Sequence, residues 1–343
     1  MVRIWNIEMK MEVFVKLKFN AVAMLLCAVS MVLPGCGSGS GPVPADPVFL
    51  ADPFILEQDG KFYAYGTDSD SGIAVYVSDD LEHWEGPCGA AKDGLALHKD
   101  DSWGDFWFWA PEVYRVGDRY VMTYSVQEHI AVAFADSPLG PFRQEEPMQP
   151  YIPGQKGIDS HIFVDDDSSA WLYWVRWDLG NGNEIHVAPL SPDFRQLDTS
   201  AQKVCIVTRP DTWEAVPDGA RVAEGPFVLK HGGLYYLSFS CNDYKSREYA
   251  VGYAVAPSPQ GPWERYEGNP ILHRQGGYVG TGHHSFLRTS KGKMYIVYHA
   301  HLSSDHIHPR KMLISPCSFV RSKDGPDVLS VGKKVIVPIL HGN

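Results

Sequence analysis

The chain has 343 residues, enough for one large domain or two smaller ones. Its 41 acidic and 30 basic side chains give a formal net charge of −11 at pH 7. This acidic excess makes nucleic acid and anionic membrane surfaces poor partners.

The N-terminal residues have the order of parts that is typical of an export signal. Three lysines precede an apolar segment of 15 residues, FNAVAMLLCAVSMVL, which is shorter than the roughly 20 residues that span a bilayer. The LPGC sequence at 33–36 resembles a bacterial lipobox, in which the cysteine is lipidated. We therefore predict a lipoprotein-type signal peptide over 1–35, lipidation at Cys36, and a flexible tether over 36–45. The alternative is an ordinary secretory signal with a chance cysteine.

The remaining segment, 46–343, predicts an all-β domain. It shows no sustained helical period, and short runs of Val, Tyr, Phe, Trp and Ile alternate with Gly, Asp, Asn and Pro. Five units repeat one order of parts: a polar residue, an apolar strand, a turn, an aromatic strand, a polar loop and a third strand. The units begin near residues 51, 110, 158, 223 and 282. Such repeats predict a single five-bladed β-propeller over 46–343.

An ionisable residue leads each unit. The five are Asp52, Glu112, Asp159, Glu224 and His283. Because the first strand of each blade lines the central channel, residues at one phase would form a ring around the axis. A carboxylate inside an apolar run, as in VAEGPFVLK, costs stability unless it is paired or used. We interpret the ring as a shared site, with solvated turn residues as the alternative.

The repeat segments resemble those of glycoside hydrolase family 43 from about residue 46 to the C-terminus. The matching segments, in order, are ADPFI, WAPEV, GIDSHIFVDDD, AEGPFVLKHGGLYYLSFS and GTGHHSF. The resemblance implies a five-bladed propeller and an inverting enzyme that acts on arabinose- and xylose-containing polysaccharides. It aligns Asp52 with the general base, Glu224 with the general acid, and Asp159 with the carboxylate that orients the acid and tunes its pKa.

Inverting hydrolysis by itself requires carboxyl groups of these kinds. One must be protonated beside the leaving oxygen, and one must be ionised to activate water, at a separation of roughly 6.5–9.5 Å. A neighbouring carboxylate and partial burial would both raise the pKa of Glu224.

The resemblance also implies roles for two basic residues. His283 would lie close to an axial water or metal ion, possibly calcium, with a structural histidine as the alternative, since calcium prefers oxygen ligands. No cofactor is required. Arg310 is, by its order in the chain, the candidate for an arginine that reaches the terminal sugar, with a surface ion pair as the alternative. Four histidines surround it in YHAHLSSDHIHPRKM, but their spacing matches no zinc motif.

Aromatic residues are the candidate sugar-binding platforms, because sugars present apolar faces to flat rings. We expect Phe108 or Trp109 to line the pocket, and Trp213 is a second candidate. Glu112 either binds substrate hydroxyls or holds its own strand. The widely spaced Cys88, Cys205, Cys241 and Cys317 favour buried free thiols, with one or two disulfides as the alternative.

Together these features predict a monomeric exo-glycosidase, exported and lipid-anchored to a bacterial membrane. It would remove α-L-arabinofuranosyl or β-D-xylosyl units from plant polysaccharides. Carbohydrate would be its partner, with membrane contact only through the lipid and no nucleic acid. A galactan- or fructan-active propeller glycosidase and a non-catalytic carbohydrate-binding propeller remain alternatives, although the latter would require the loss of a carboxylate.

Overall fold

The structure is a computed structural model that describes residues 46–176, 182–217 and 219–341. These residues belong to one compact unit that runs from Pro44 to Asn343. The predicted signal peptide, the tether and the lipidation site at Cys36 lie outside the described residues. Within the described part of the chain, no helix is both long enough and apolar enough to cross a membrane.

The strands form five separate sheets, one for each predicted repeat, which confirms the five-bladed all-β propeller. The first sheet contains β1 (Ala51–Gln58), β2 (Lys61–Ser69), β3 (Gly72–Ser78), β4 (His83–Glu85) and β5 (Leu95–His98). The second contains β6 (Trp109–Val116), β7 (Arg119–Val126) and β8 (His129–Ala135). The third contains β9 (Gly157–Val164), β10 (Ala170–Arg176), β11 (Glu184–Leu190) and β12 (Lys203–Val207).

The fourth sheet contains β13 (Ala223–His231), β14 (Leu234–Cys241), β15 (Ala250–Ala256) and β16 (Glu264–Arg265). The fifth contains β17 (Gly282–Arg288), β18 (Met294–Ala300), β19 (Lys311–Val320) and β20 (Val328–Val331). The last strand, β21 (Ile339–Leu340), joins the first sheet. Short 3-10 turns span Lys92–Gly94, Lys99–Asp101, Thr199–Ala201 and Gln275–Gly277.

The first strands of the blades surround the axis. They contact one another in the cyclic order β1, β6, β9, β13, β17 and back to β1. Buried side chains of facing sheets fill the space between blades. For example, Ile158 and Tyr173 of the third blade share a core cluster with Leu237 and Phe239 of the fourth. Tyrosine, valine and isoleucine suit this packing because a half-buried pleated surface favours aromatic and β-branched residues.

Both ends of the described chain meet in the first blade. Strand β21 pairs in parallel with β4, and the Val48 amide donates a hydrogen bond to the Pro338 carbonyl at 2.9 Å. The Leu340 amide likewise donates to the Asp46 carbonyl at 2.8 Å. The C-terminal segment therefore adds a strand to the first blade.

A β-bulge interrupts each first strand. The residue at each bulge has a left-handed φ: Asp52 (49°), Ala110 (44°), Asp159 (55°), Gly225 (55°) and His283 (43°). Aligned on the bulge, only three of the five leading residues share one register. Glu224 lies one residue before its bulge and Glu112 two residues after, so the prediction of a single phase is wrong for these two. A bulge re-aims the side chains on either side of it, which is why sequence spacing alone did not give the register.

Candidate active site

One pocket of about 840 Å³ collects most of the predicted site residues at the N-terminal ends of the first strands. Its wall includes all three predicted carboxylates, the predicted arginine and histidine, and several aromatic and basic side chains. The lining residues include Asp52, Thr67, Trp109, Asp159, Glu224, Tyr244, His283 and Arg310. Strands from all five blades contribute, so the pocket exists only in the closed ring.

Asp52 is buried but held in its charged form. Its Oδ2 accepts a hydrogen bond from Thr67 Oγ1 at 2.6 Å, and its Oδ1 accepts one from Arg310 at 2.9 Å. Burial alone would raise the pKa of Asp52. The charge of Arg310 holds that pKa well below its usual range in spite of the burial. Asp52 is therefore an ionised acceptor at neutral pH.

His299 contacts both the backbone and the carboxylate of Asp52. Its Nδ1 lies 3.2 Å from both the Asp52 amide nitrogen and Asp52 Oδ1. Burial, and then the charge of Arg310, lowers the pKa of His299 to about 3, so the ring is neutral. A neutral Nδ1 that accepts the amide proton cannot also donate to the carboxylate. The amide hydrogen bond is therefore the contact that remains at neutral pH.

Glu224 has the opposite environment. Its Oε1 accepts a hydrogen bond from the Tyr249 hydroxyl at 2.6 Å, and no salt bridge reaches its carboxyl group within the described residues. Burial raises the pKa of Glu224 to about 8, and the Tyr249 hydrogen bond only partly offsets this. At pH 7 the group is mostly protonated, as a proton donor must be.

Asp159 lies between these two groups and bridges two blades. Its Oδ2 accepts a hydrogen bond from the Gly225 amide at 3.3 Å, directly beside Glu224 in the chain. Burial, followed by the charges of Glu224 and Asp52, raises the pKa of Asp159 well above its usual range. The carboxyl group therefore orients the peptide that carries Glu224 and couples electrostatically to both neighbours.

The hydrogen bond from the Gly225 amide to Asp159 differs from the equivalent contact at the bulges of the other four blades. At the other four bulges, the amide donates to a polar second-strand side chain of the preceding blade. These contacts are Ala110 to Thr67 (3.0 Å), Asp159 to Ser125 (3.0 Å), His283 to Ser240 (2.9 Å) and Asp52 to His299 (3.2 Å). The equivalent second-strand position of the third blade is Val175, which cannot accept a hydrogen bond. The Asp159 carboxylate serves in its place.

His283 faces the carboxylates rather than a set of metal ligands. Its Nδ1 lies 3.4 Å from Asp52 Oδ1 and 4.0 Å from Asp159 Oδ2. Behind it is an axial cavity of about 10 Å³, which is room for about one water molecule. Among the residues that the structure describes, no group of three or more His, Cys, Asp or Glu side chains is arranged to hold a metal ion.

Glu112 lines the axial cavity and is absent from the pocket wall. Its Oε2 accepts hydrogen bonds from His161 Nδ1 at 2.9 Å and from the Tyr114 hydroxyl. His161 Nε2 accepts the Val228 amide proton at 3.0 Å, which fixes Nδ1 as the protonated nitrogen. Of the two roles expected for Glu112, the contacts favour holding the strands together.

The aromatic candidates divide between the pocket and the core. Trp109 lines the pocket and stacks on Trp107, with ring centroids 5.5 Å apart. Phe108 is 1% exposed and stacks on Tyr124, so the prediction that it lines the pocket is wrong. Consecutive residues of a strand point to opposite faces, and only one of the two rings can reach the pocket. Trp213 also lies outside the pocket wall and packs on Phe239.

Several site residues were missed in the sequence. Thr67, Tyr244 and Tyr249 carried no motif, and His299 was seen only as part of a histidine run. The Tyr244 ring lies 4.7 Å from the Arg310 guanidinium. Thr67 and His299 could have been found in the sequence from their position, because both lie on the second strand of a blade opposite a bulge.

The four described cysteines are free thiols. Cys241 and Cys317 are buried as predicted, Cys205 is partly buried, and Cys88 is exposed, which was not expected. The disulfide alternative is not realised in the described residues.

The family model for glycosyl hydrolases family 43 matches residues 42–324. The chain belongs to this family. A crystal structure of an endo-1,4-beta-xylanase from Bacteroides thetaiotaomicron is 38% identical, with a TM-score of 0.78, and the match covers 88% of this chain and 100% of that one.

Curated relatives carry names for several pentose and furanose activities. Xylosidase/arabinosidase 43A of Humicola insolens is 29% identical over 328 residues, which covers 81% of this chain and 95% of the relative. Beta-D-galactofuranosidase xynD of Aspergillus niger is 30% identical over 193 residues, but this chain spans only 52% of that protein. The family 43 protein described here is a glycoside hydrolase.

Proposed function

We propose that this family 43 hydrolase is an inverting, exo-acting enzyme that removes terminal β-D-xylosyl or α-L-arabinofuranosyl units from plant polysaccharides and their oligosaccharides. One observation carries the proposal: the pocket holds an ionised carboxylate, Asp52, and a protonated carboxyl group, Glu224, whose environments push their pKa values apart. The names of the matched relatives support the two sugars.

In this mechanism Asp52 is the general base. Its Arg310 and Thr67 contacts keep it charged, so that it can take a proton from the attacking water. Glu224 is the general acid and protonates the leaving oxygen from the opposite side of the sugar. Asp159 orients the Glu224 peptide through the Gly225 amide. Burial, and then the charge of Asp52, raises the pKa of the acid.

The rest of the pocket suits a terminal sugar. The axial cavity behind the carboxylates has room for only about one water, so the pocket is closed at its floor. Trp109 offers an aromatic face in its wall. Arg310 Nε is buried with no hydrogen-bond partner among the described residues, and a sugar hydroxyl would satisfy it.

Replacement of the two catalytic groups tests the proposal. We expect Glu224→Gln and Asp52→Asn each to lower kcat on xylo-oligosaccharides by roughly a hundredfold or more, because acid–base catalysis contributes about that much. NMR of the first anomer released should show inversion. Asp136→Asn, on a fully solvated carboxylate that is 93% exposed, is the matched control and should keep full activity. Wild-type kcat in either catalytic variant, or release of the retained anomer, would refute the mechanism.

The sugar is tested with a panel of nitrophenyl glycosides, followed by arabinoxylan, arabinan and xylo-oligosaccharides. Highest kcat/KM on β-D-xylosides or α-L-arabinofuranosides is expected. The name of the Aspergillus niger relative adds β-D-galactofuranosides as the competing substrate class. Cleavage confined to internal bonds of long chains would contradict exo action.

We propose that hydrolysis needs no metal. The carboxylates that line the axial cavity already have hydrogen-bond partners within the protein, and His283 offers that cavity a nitrogen atom, whereas calcium prefers oxygen ligands. Exhaustive dialysis against EDTA should leave kcat unchanged, and a loss restored by calcium would establish an axial ion.

We also propose that the protein is exported, lipid-anchored through Cys36 to a bacterial membrane, and monomeric. Support comes from the sequence of the first 45 residues. Wild-type protein should partition with membranes and Cys36→Ser protein with the soluble fraction, and equal partitioning of the two would refute the anchor. Sedimentation of protein that lacks the lipid anchor would test whether the protein is a monomer.

A further inference from the structure

Tyr249 and His299 form a stacked pair between the proposed acid and the proposed base. Their ring centroids lie 5.6 Å apart with an interplanar angle of 17°. The Tyr249 hydroxyl donates to Glu224 Oε1 at 2.6 Å, and His299 Nδ1 accepts the Asp52 amide proton at 3.2 Å. The tyrosine therefore holds the carboxyl group of Glu224, the histidine holds the backbone of Asp52, and the two rings pack against each other.

The surroundings leave this pair no freedom. Both rings are fully buried. Gly282, which pairs with His299 across the fifth blade, lies against the Tyr249 ring so closely that a Cβ at this position would overlap it. The second glycine of GTGHHSF is therefore required by the tyrosine, and the motif, the tyrosine and the histidine form one packed unit.

The Tyr249 hydroxyl acts as a hydrogen-bond donor to Glu224. Burial, followed by the charge of Glu224, raises the pKa of Tyr249 well above 10, so the hydroxyl remains a donor. Because it donates to Oε1, that oxygen acts as the carbonyl acceptor of protonated Glu224. The transferable proton is then held on Oε2, the oxygen that has no hydrogen bond to the tyrosine.

We infer that Tyr249 and His299 are positioning residues: the tyrosine fixes which oxygen of Glu224 carries the catalytic proton, and the histidine fixes the backbone of Asp52. The inference rests on the proposed acid and base roles. Neither residue touches the sugar in this assignment, so both act through the group they hold.

The acid arm is tested with Tyr249→Phe, which removes the hydroxyl and keeps the ring. We expect kcat on xylo-oligosaccharides to fall roughly ten- to a hundredfold with little change in KM, as befits the loss of a hydrogen bond to an ionisable group. On a dinitrophenyl glycoside, whose leaving group needs no proton, the loss should be less than about threefold. The basic limb of the pH profile should move upward, because the hydroxyl lowers the pKa of Glu224.

Tyr236→Phe is the matched control. Tyr236 is a buried tyrosine of the same blade whose hydroxyl donates to the Asp327 carbonyl at 2.8 Å, remote from the pocket. Tyr236→Phe should lower stability to a similar extent as Tyr249→Phe. It should leave kcat on both substrates and the pH profile unchanged.

The base arm is tested with His299→Asn against His299→Leu. The asparagine oxygen can accept the Asp52 amide proton in place of Nδ1, whereas leucine cannot. We expect His299→Leu to lower kcat on both substrates, since water activation is needed for each, and His299→Asn to recover most of the loss.

Two outcomes would overturn the inference. One is an equal loss on both substrates with an unmoved pH limb in Tyr249→Phe. The other is wild-type kcat in His299→Leu. Failure of the underlying mechanism is distinguishable, because Glu224→Gln would then remain active, whereas failure of the inference alone leaves Glu224→Gln inactive.

Discussion

At the scale of single residues, the surroundings of Glu224 explain why this acidic side chain interrupts an apolar strand. Burial makes the charged form costly, and the described residues give it one neutral donor, Tyr249, and no salt bridge. Asp52, equally buried, receives Arg310 and stays charged. Two carboxyl groups in one pocket thus acquire opposite protonation states from their neighbours alone.

The pH dependence of catalysis follows from these two environments. With Glu224 as the proposed general acid, kcat/KM should fall as pH rises through about 8. Because the pKa of Asp52 lies well below 3.8, the acidic limb should lie below that value. Rates measured from about pH 4 to about pH 10 would check this. A basic limb below about pH 6 would contradict the raised pKa.

The same shift has a cost in stability with a defined sign. The pKa of Glu224 rises from 4.5 to about 8 on folding, so the unfolded chain releases the proton first and the free energy of unfolding falls across that window. Glu224→Gln removes this loss. Its Tm should exceed that of the wild type near pH 8 and match it near pH 4 in thermal unfolding. A Tm below the wild-type value near pH 8 would show that the carboxyl group stabilises the fold.

At the scale of elements, the bulge in each first strand is the device that forms the site. It turns the bulge residue into a left-handed conformation and frees its amide to bond to the preceding blade. Asp52, Asp159 and His283 adopt this conformation without being glycine, which costs roughly 1–2 kcal/mol each.

Gly225→Ala tests the bulge of the fourth blade. The position has φ +55°, and a Cβ would lie 3.2 Å from His283 Cδ2. We expect about 1 kcal/mol of destabilisation from the backbone and a clear loss of kcat from displacement of His283 and Glu224. Gly117→Ala, at φ +61° with nothing within 4 Å, is the control that should share only the loss of stability. Equal kcat in the two variants would argue against the bulge as a positioning device.

At the scale of the whole molecule, ring closure brings the blades into register around one pocket. Residues of all five blades line it, and the ends of the described chain are held together in the first blade by β21 and the Val48–Pro338 hydrogen bond. If the ring opened, the three carboxylates would move apart, although none of these residues would itself be altered.

Truncation tests the closure. Removal of residues 338–343 deletes β21, and we expect Tm to fall by roughly 5 °C or more, with parallel loss of activity on heating. A chain that lacks only residues 342–343 keeps β21 and is the control. Wild-type Tm in the longer truncation would mean that other contacts close the ring.

The sequence by itself determined the class of fold and the number of blades. Repeats report both directly, because each blade must bury the same apolar faces. The family resemblance singled out three carboxylates, and the structure brings them to one pocket. Only the tertiary structure decided the register of Glu224 and Glu112, the burial of Phe108, and the roles of Thr67, Tyr249 and His299. A bulge shifts register without leaving a repeat signal, and the partners of these groups come from other blades, far away along the chain. The pKa values that separate acid from base depend on those distant neighbours, so they exist only once the ring has closed.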